Sequence, residues 1–579
     1  MSGPAFMTTI ATTSPIAARR FRVDLTMPVL LLFAAVLCVL VVLPLSWLTY
    51  YAFTDKQGAL TLTNFIHLVV DAAFFDPLIT TLELAVLSAI ICCAVAAPMG
   101  WLVARTDMPL RRTVRLLVTA SFVTPPFLGA IAWELLAAPN SGLLNQLFRD
   151  LTGADPNYHL LNIYSFGGLV FVISCYTFPY VFVLVANALD RTPGDLEDAS
   201  AILGAGAWDT ARRITIPLAL PALLAGALVA FLQAMTLFGS PAILAMPAGF
   251  HTITTKIWSL FQYPAKPDLA AAASLPLLVL TVILLRAQHM VLGRRSYSVV
   301  GAKNSEPRIV RLGRYKWLAL GLSMTVLMCP VFLPYFALVN ATFSNIASHI
   351  IGFHNFTLKN IHFVFFELSV TMLAIKNTFI LSILAATLGT LLAVVIGYIT
   401  ARKAVTGHRV LAFLATAPIA IPGIVLGVGL FFSYTRPPFV LYGTLWILLI
   451  GYITLAMPQA YQQIQSAFHA VHPELEDASR ILGATRLRAL WQITAPLLRT
   501  SVIATWCFIF VGVVRELSAA IMLFTSQTKV LSVLIYDLNE SGDLAAIAVL
   551  GLLMLIITFA VVALANTLKL GGRHAPRAG

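Results

Sequence analysis

The sequence predicts an all-α transmembrane protein with about twelve spans, built as two parallel six-helix repeats. Three observations carry this. Of the 579 residues, 59% are hydrophobic and 11% charged, and the mean hydropathy is +0.89; no water-soluble fold of this size hides so much apolar surface. Stretches such as 27–51 and 544–568 carry no charged residue and exceed the ~20 residues needed to cross ~30 Å of hydrocarbon. A polar, basic island also recurs 279 residues later with identical internal spacing.

The spans fall near 27–51, 78–104, 114–137, 165–189, 219–246, 268–292, 317–340, 376–401, 410–434, 442–464, 498–525 and 544–568. The first follows Arg19, Arg20 and Arg22 with no clear small-residue cleavage site after it, so it reads as an uncleaved span. The chain divides into an N-tail (1–26), a first domain (27–292), a basic linker (293–316), a second domain (317–568) and a C-tail (569–579). With both termini on one side, that side holds 28 of the 37 Lys/Arg residues and the other holds 8, Arg515 lying within a span. The positive-inside rule puts both termini in the cytoplasm of a bacterial inner membrane protein. The net charge of +13 therefore reports topology and anionic lipid, not nucleic acid.

The repeat is extensive. Thr81, Gly100, Ala104-Arg105 and Pro125 match Thr378, Gly397, Ala401-Arg402 and Pro422 at an offset of 297, and Phe231 matches Phe510 at 279. The difference of 18 falls in a loop around 139–164 that shrinks to 434–441 in the second half. With six spans each, the halves are parallel, related by an axis along the membrane normal.

Each island predicts two short cytoplasmic helices. In the first, Thr192 caps, Pro193 suits the first turn, and Leu196, Ala199 and Leu203 share a face. Gly204 ends this helix in the left-handed conformation, a second helix near 208–214 follows, and Pro217 precedes the next span. The second copy runs Pro473, Leu475, Ala478, Leu482, Gly483 and Pro496, with Val471 in place of the capping threonine. Two equivalent apolar faces on one side suit a two-fold partner; the alternative is a pair of helices lying on lipid.

The islands read D-A-S-x3-G-x9-I-T-[IA]-P, preceded by Glu197 or Glu476. They resemble the "EAA" loop of binding-protein-dependent ABC importer permeases, with serine for the second alanine and Ile216 or Ala495 for the leucine. The resemblance implies two permease domains in tandem. It implies an ATPase-coupling role for Glu197, Asp198, Ala199, Leu203, Gly204 and Pro217, and for Glu476, Asp477, Ala478, Leu482, Gly483 and Pro496. It also implies two separate ATPase subunits that bind the ATP, a periplasmic solute-binding protein, and no cofactor on this chain. No G-x-x-x-x-G-K-[ST] loop is present; no catalytic residue set or metal cluster stands out, and none of the six cysteines has C-x-x-C spacing.

Polar groups inside spans mark a possible pathway. Arg515-Glu516 belongs to one half only, its counterparts being Thr236 and Leu237. The segment Arg515–Ala520 resembles the R-E-L-P-A-T segment of fused ferric-iron permeases, without the proline. It reads either as a pathway or gate contact or as a structural pair joining helices. Gln233 is a further pathway candidate, and Glu134 reads as interfacial. Pro125-Pro126 and Pro422-Gly423 read as kinks before they read as pathway breaks. The resemblance favours ferric iron as cargo; importers for 2-aminoethylphosphonate or thiamine, and a secondary transporter with two six-span halves, are the alternatives. A membrane-embedded enzyme would need an acid or histidine constellation at the bilayer surface, and none is visible.

Overall fold

The computed structural model describes residues 26–571 apart from 56, 193, 294–308, 347–348, 350–354 and 404–405. The expected N-tail, Pro193, most of the linker and the end of the C-tail lie outside the described residues. The first half comprises α1 (Leu30–Ala52), α2 (Ala72–Arg105), α3 (Arg111–Val123), α4 (Pro126–Ala137), α5 (Phe166–Arg191), α6 (Asp195–Ile202), α7 (Ala211–Thr236), α8 (Ile253–Ser259) and α9 (Pro267–Gly293). The second half repeats the order as α10 (Gly313–Phe343), α11 (Val370–Ala401), α12 (His408–Ala420), α13 (Gly423–Tyr434), α14 (Leu445–Ala470), α15 (Pro473–Ile481), α16 (Leu490–Val514), α17 (Leu531–Ser541) and α18 (Leu544–Gly571). No strand occurs among the described residues.

Nine of these helices are long and apolar enough to span, and the bent pairs α3/α4 and α12/α13 bring the number to eleven. The twelfth is α14. It carries four glutamines, Gln459, Gln462, Gln463 and Gln465, yet its 26 residues rise ~39 Å. The third and ninth spans are not kinked helices as expected. They turn by 98° and 112° at Thr124-Pro125 and Ile421-Pro422, because consecutive or closely spaced prolines remove the amides that would carry the helix through. The fifth and eleventh spans stop at Thr236 and Val514, short of the expected 246 and 525.

The first span of each half crosses to the other half. α1 packs against α9 and against α13, while α10 packs against α18 and against α4. Both carry a π-turn at the same place, Cys38–Val42 and Met328–Phe332, just before Pro44 and Pro334. A missing proline N–H leaves the carbonyl four residues back open. Partner helices use the loosened backbone: Thr454 Oγ1 donates to Leu40 O at 3.4 Å, Tyr434 Oη to Val39 O at 3.0 Å, and Trp133 Nε1 to Cys329 O at 3.1 Å.

Equivalent threonines set the repeat in three dimensions. Thr81 Oγ1 accepts the first amide of α8, Ile253 N, and Thr378 Oγ1 accepts the first amide of α17, Leu531 N, both at 2.8 Å. One residue on, Thr254 Oγ1 donates to Leu237 O at 2.9 Å and Ser532 Oγ to Glu516 O at 2.6 Å. These bonds close the open carbonyls where α7 and α16 end.

Candidate functional site: the cytoplasmic helix pair and the mid-membrane seam

The islands form α6 and α15. Thr192 does not cap α6; its hydroxyl donates back to Ala188 O, closing the end of α5, and Gly194 occupies the cap position with no side-chain bond. Both helices end as expected. Gly204 (φ +82°) and Gly483 (φ +91°) are left-handed, and Ala205 N and Ala484 N donate to Ser200 O and Ser479 O, each at 3.1 Å. That 6→1 closure needs a residue without a Cβ penalty at the turn.

The two helices present the same surface. Leu196, Ile202 and Leu203 are 48%, 86% and 86% exposed, and Leu475, Ile481 and Leu482 are 48%, 86% and 89% exposed. Asp198 and Ala199, like Asp477 and Ala478, lie exposed beside them, and Pro217 and Pro496 stand in the first turn after the π-turns Ala211–Thr215 and Leu490–Thr494. Ile202 and Ile481 belong to this face too, although their spacing in the sequence does not mark them.

Glu197 and Glu476 do the opposite. They are buried, 5% and 7% exposed, and so are not part of the exposed face. Glu197 Oε1 accepts Thr215 Oγ1 at 2.7 Å, and Glu197 Oε2 stands 3.5 Å from Arg105 Nη1. Glu476 Oε1 accepts Thr494 Oγ1 at 2.8 Å, Arg402 Nε at 3.1 Å and Arg402 Nη2 at 2.9 Å. Each arginine also donates to the chain leading into the island, at Thr192 O or Val471 O. A buried carboxylate thus ties α6 to the ends of α2 and α7, and another ties α15 to the ends of α11 and α16. The repeat of Arg105 as Arg402 was visible in the sequence; its partner was not. In the first half the linker adds a cover: Val310 N donates to Arg105 O at 2.7 Å and Asp107 N to Val310 O at 3.2 Å.

The halves meet at the helix breaks. Pro126 has no N–H to offer Phe122 O, four residues back. Arg515 Nη1 donates to that carbonyl from the other half at 2.9 Å, its guanidinium 5.9 Å from the Phe122 ring. Glu516 Oε1 accepts Ala519 N at 2.9 Å, and among the described residues no hydrogen bond joins Glu516 to Arg515. Within each half, glycines secure close approach at the break. A Cβ at Gly239 would lie 2.6 Å from Phe127 Cβ, and one at Gly423 3.0 Å from Ser518 Cβ. Gln233 is half-buried on α7, and among the described residues no hydrogen bond joins it to Arg515 or Glu516. Glu134 joins the halves: Oε1 accepts Tyr164 Oη at 2.7 Å and Oε2 accepts Asn539 Nδ2, from the second half, at 2.9 Å. No group of three or more His, Cys, Asp or Glu residues suited to a metal occurs among the described residues.

A family model described as "binding-protein-dependent transport system inner membrane component" matches residues 96–297 and 393–569, more than half of the chain. The ferric transport system permease protein FbpB of Actinobacillus pleuropneumoniae is 27% identical over 76% of this chain and 63% of its own length. The putative ferric transport system permease protein FbpB 1 of Haemophilus influenzae is 27% identical over 70% of this chain and 64% of its own length. This chain therefore spans just under two thirds of both relatives. A solved bacterial alginate ABC transporter, in complex with an alginate pentasaccharide-bound periplasmic protein, aligns at 22% identity with a TM-score of 0.35, covering 46% of this chain and 97% of that one.

Proposed function

This chain belongs to the family of binding-protein-dependent transport system inner membrane components, and from that premise we propose that it is the fused permease subunit of an ATP-driven importer. A periplasmic binding protein delivers solute to the outer face. Two separate ATPase subunits bind ATP and dock on α6 and α15, with both termini of this chain on their side of the membrane. Their movement reaches the spans through the carboxylate ties at Glu197 and Glu476, and the halves rock to alternate access. The chain itself carries no ATPase site.

The observation that carries this reading is the pair of apolar faces, Leu196/Ile202/Leu203 and Leu475/Ile481/Leu482, matched residue by residue in exposure. Helices resting on lipid would not need such matched faces, whereas a two-fold partner requires them. Asp198, Ala199, Gly204 and Pro217, with Asp477, Ala478, Gly483 and Pro496, shape those faces. Family membership counts against the secondary carrier and the lipid enzyme.

Ferric iron is the proposed cargo, supported by the names of the two relatives and by the Arg515–Ala520 segment. Arg515, Glu516 and Gln233 are the proposed pathway residues. Co-expression with the neighbouring genes and purification should retain two ATPase subunits per chain, and Leu203→Glu with Leu482→Glu should release them. ATP-dependent uptake of radiolabelled ferric ion, against 2-aminoethylphosphonate and thiamine, then decides the cargo. A chain that purifies alone and transports on a proton gradient without ATP would overturn the proposal.

A further inference from the structure

The bonds from Thr81 to Ile253 N and from Thr378 to Leu531 N make α8 and α17 equivalent at an offset of 278. Trp258 and Tyr536 are therefore the same position in the two halves. Their rings touch, with centroids 5.9 Å apart at 80°. Equivalent residues of two halves meet only on the axis that relates the halves. That axis is also the line along which a solute passes between two rocking halves.

The depth follows from α2. Thr81, which holds the start of α8, lies 24 residues before Arg105, the tie to the cytoplasmic helix, or ~36 Å along the helix. The aromatic pair therefore sits toward the outer boundary of a ~30 Å hydrocarbon layer. Phe122, the carbonyl that Arg515 holds, lies 11 residues or ~17 Å from the cytoplasmic start of α3. Phe238 packs beneath the pair, 6.2 Å from Trp258 and 6.1 Å from Tyr536, and all three side chains are buried, at 9%, 2% and 0% exposure for Trp258, Tyr536 and Phe238.

The flanks of this contact are also equivalent, and they differ in chemistry. Glu134 and Phe431 correspond at the offset of 297, and Asn539 and Phe261 correspond at 278. On one flank Asn539 donates to Glu134 at 2.9 Å; on the other Phe261 packs edge-on against Phe431 at 5.3 Å. Three contacts at one level thus join the halves, one on the axis and one on either side.

We propose that Trp258 and Tyr536 form the outer gate of the pathway, latched by Glu134–Asn539 on one side and Phe261–Phe431 on the other. The gate rests on the importer reading and adds to it the residues that part when the halves rock outward. Aromatic rings suit this place, since they fill the axis by area burial and edge-to-face attraction, and the hydrogen bond of Tyr536 to Glu540 lies within α17, so it need not break on opening.

The test places W258C and Y536C in a background with the six native cysteines replaced by alanine. In the permease alone, a short bifunctional methanethiosulfonate should join the two positions; failure to join them in folded protein overturns the apposition and the gate with it. In the complex with its ATPase, Y536C alone should react with a membrane-impermeant maleimide at least ten-fold faster after vanadate trapping than at rest. Equal rates in a complex that hydrolyses ATP and is trapped would overturn the gate and leave the importer reading standing. A permease that crosslinks but has no vanadate-sensitive ATPase would support the apposition and count against the importer reading. If the cysteine-free background does not fold, W258A with Y536A in the native chain is the second variant. It should leave ATPase binding intact and raise ATP hydrolysis in the absence of binding protein several-fold; unchanged hydrolysis would overturn the gate.

Discussion

Glu197 and Glu476 do the same work in unequal surroundings. Arg402 offers Nε and Nη2 to one carboxylate oxygen and keeps 12% of its side chain in contact with solvent, whereas Arg105 keeps 1%. Arg105 Nε and Nη1 are buried without a hydrogen bond, so its compensation comes chiefly from the charge of Glu197 at 3.5 Å, with a smaller share from Asp190, and from Thr192 O at 2.8 Å. Removing one partner of a buried ion pair costs about 3–5 kcal/mol, because the other charge is left without compensation. Glu197→Gln should therefore lower the thermal midpoint of the purified permease more than Glu476→Gln, since Arg402 can reach water and Arg105 cannot. Unfolding monitored in detergent checks the order; a larger loss from Glu476→Gln would refute the account. Arg105→Met combined with Glu197→Met should recover part of the loss, as apolar replacements of a whole buried pair often do.

At the scale of elements, the breaks in the third and ninth spans determine where the halves touch. Pro126→Ala would supply an N–H to Phe122 O, the acceptor that Arg515 uses at 2.9 Å. The expected outcome is a straighter α3/α4 pair, loss of the Arg515 bond and slower cargo transport, with ATPase binding unchanged because α6 and α15 are untouched. Arg515→Met should slow transport to a similar degree, and the double variant should add little to either single change. Transport rates that multiply in the double variant would separate the proline from the arginine. The repeat itself was legible in the sequence, because Thr81/Thr378, Arg105/Arg402 and the paired glycines stand at fixed offsets. The apolar stretches gave the spans, and the left-handed turns at Gly204 and Gly483 followed from residue type. The size of the bends was not legible, since a proline in an apolar run marks a kink and a chain reversal alike. Nor was the inward turn of Glu197, which depends on Arg105 arriving from a helix 92 residues earlier in the chain.

At the scale of the whole molecule, neither half closes without the other. α1 lies between α9 of its own half and α13 of the other, and α10 lies between α18 and α4. The π-turns of both first spans give carbonyls to opposite-half donors, and Tyr335 on α10 shares a hydrogen bond with Thr124 at the α3/α4 break, 2.6 Å long. Among its described residues the linker adds a further join, from Val310 and Leu312 to Arg105–Asp107, in the segment entering α10. Covalent continuity between the halves is then dispensable for assembly, while the crossing spans are not. Residues 1–300 and 301–579 expressed as two polypeptides should co-purify and support ATP-dependent transport. The same pair lacking residues 1–52 should not associate, although the join at Val310 is intact. Co-purification after that deletion would mean that α10, with the central seam at Arg515–Phe122 and Trp258–Tyr536, holds the halves without α1. The halves could then part by the rocking motion with α1 serving only as a lipid-facing strut.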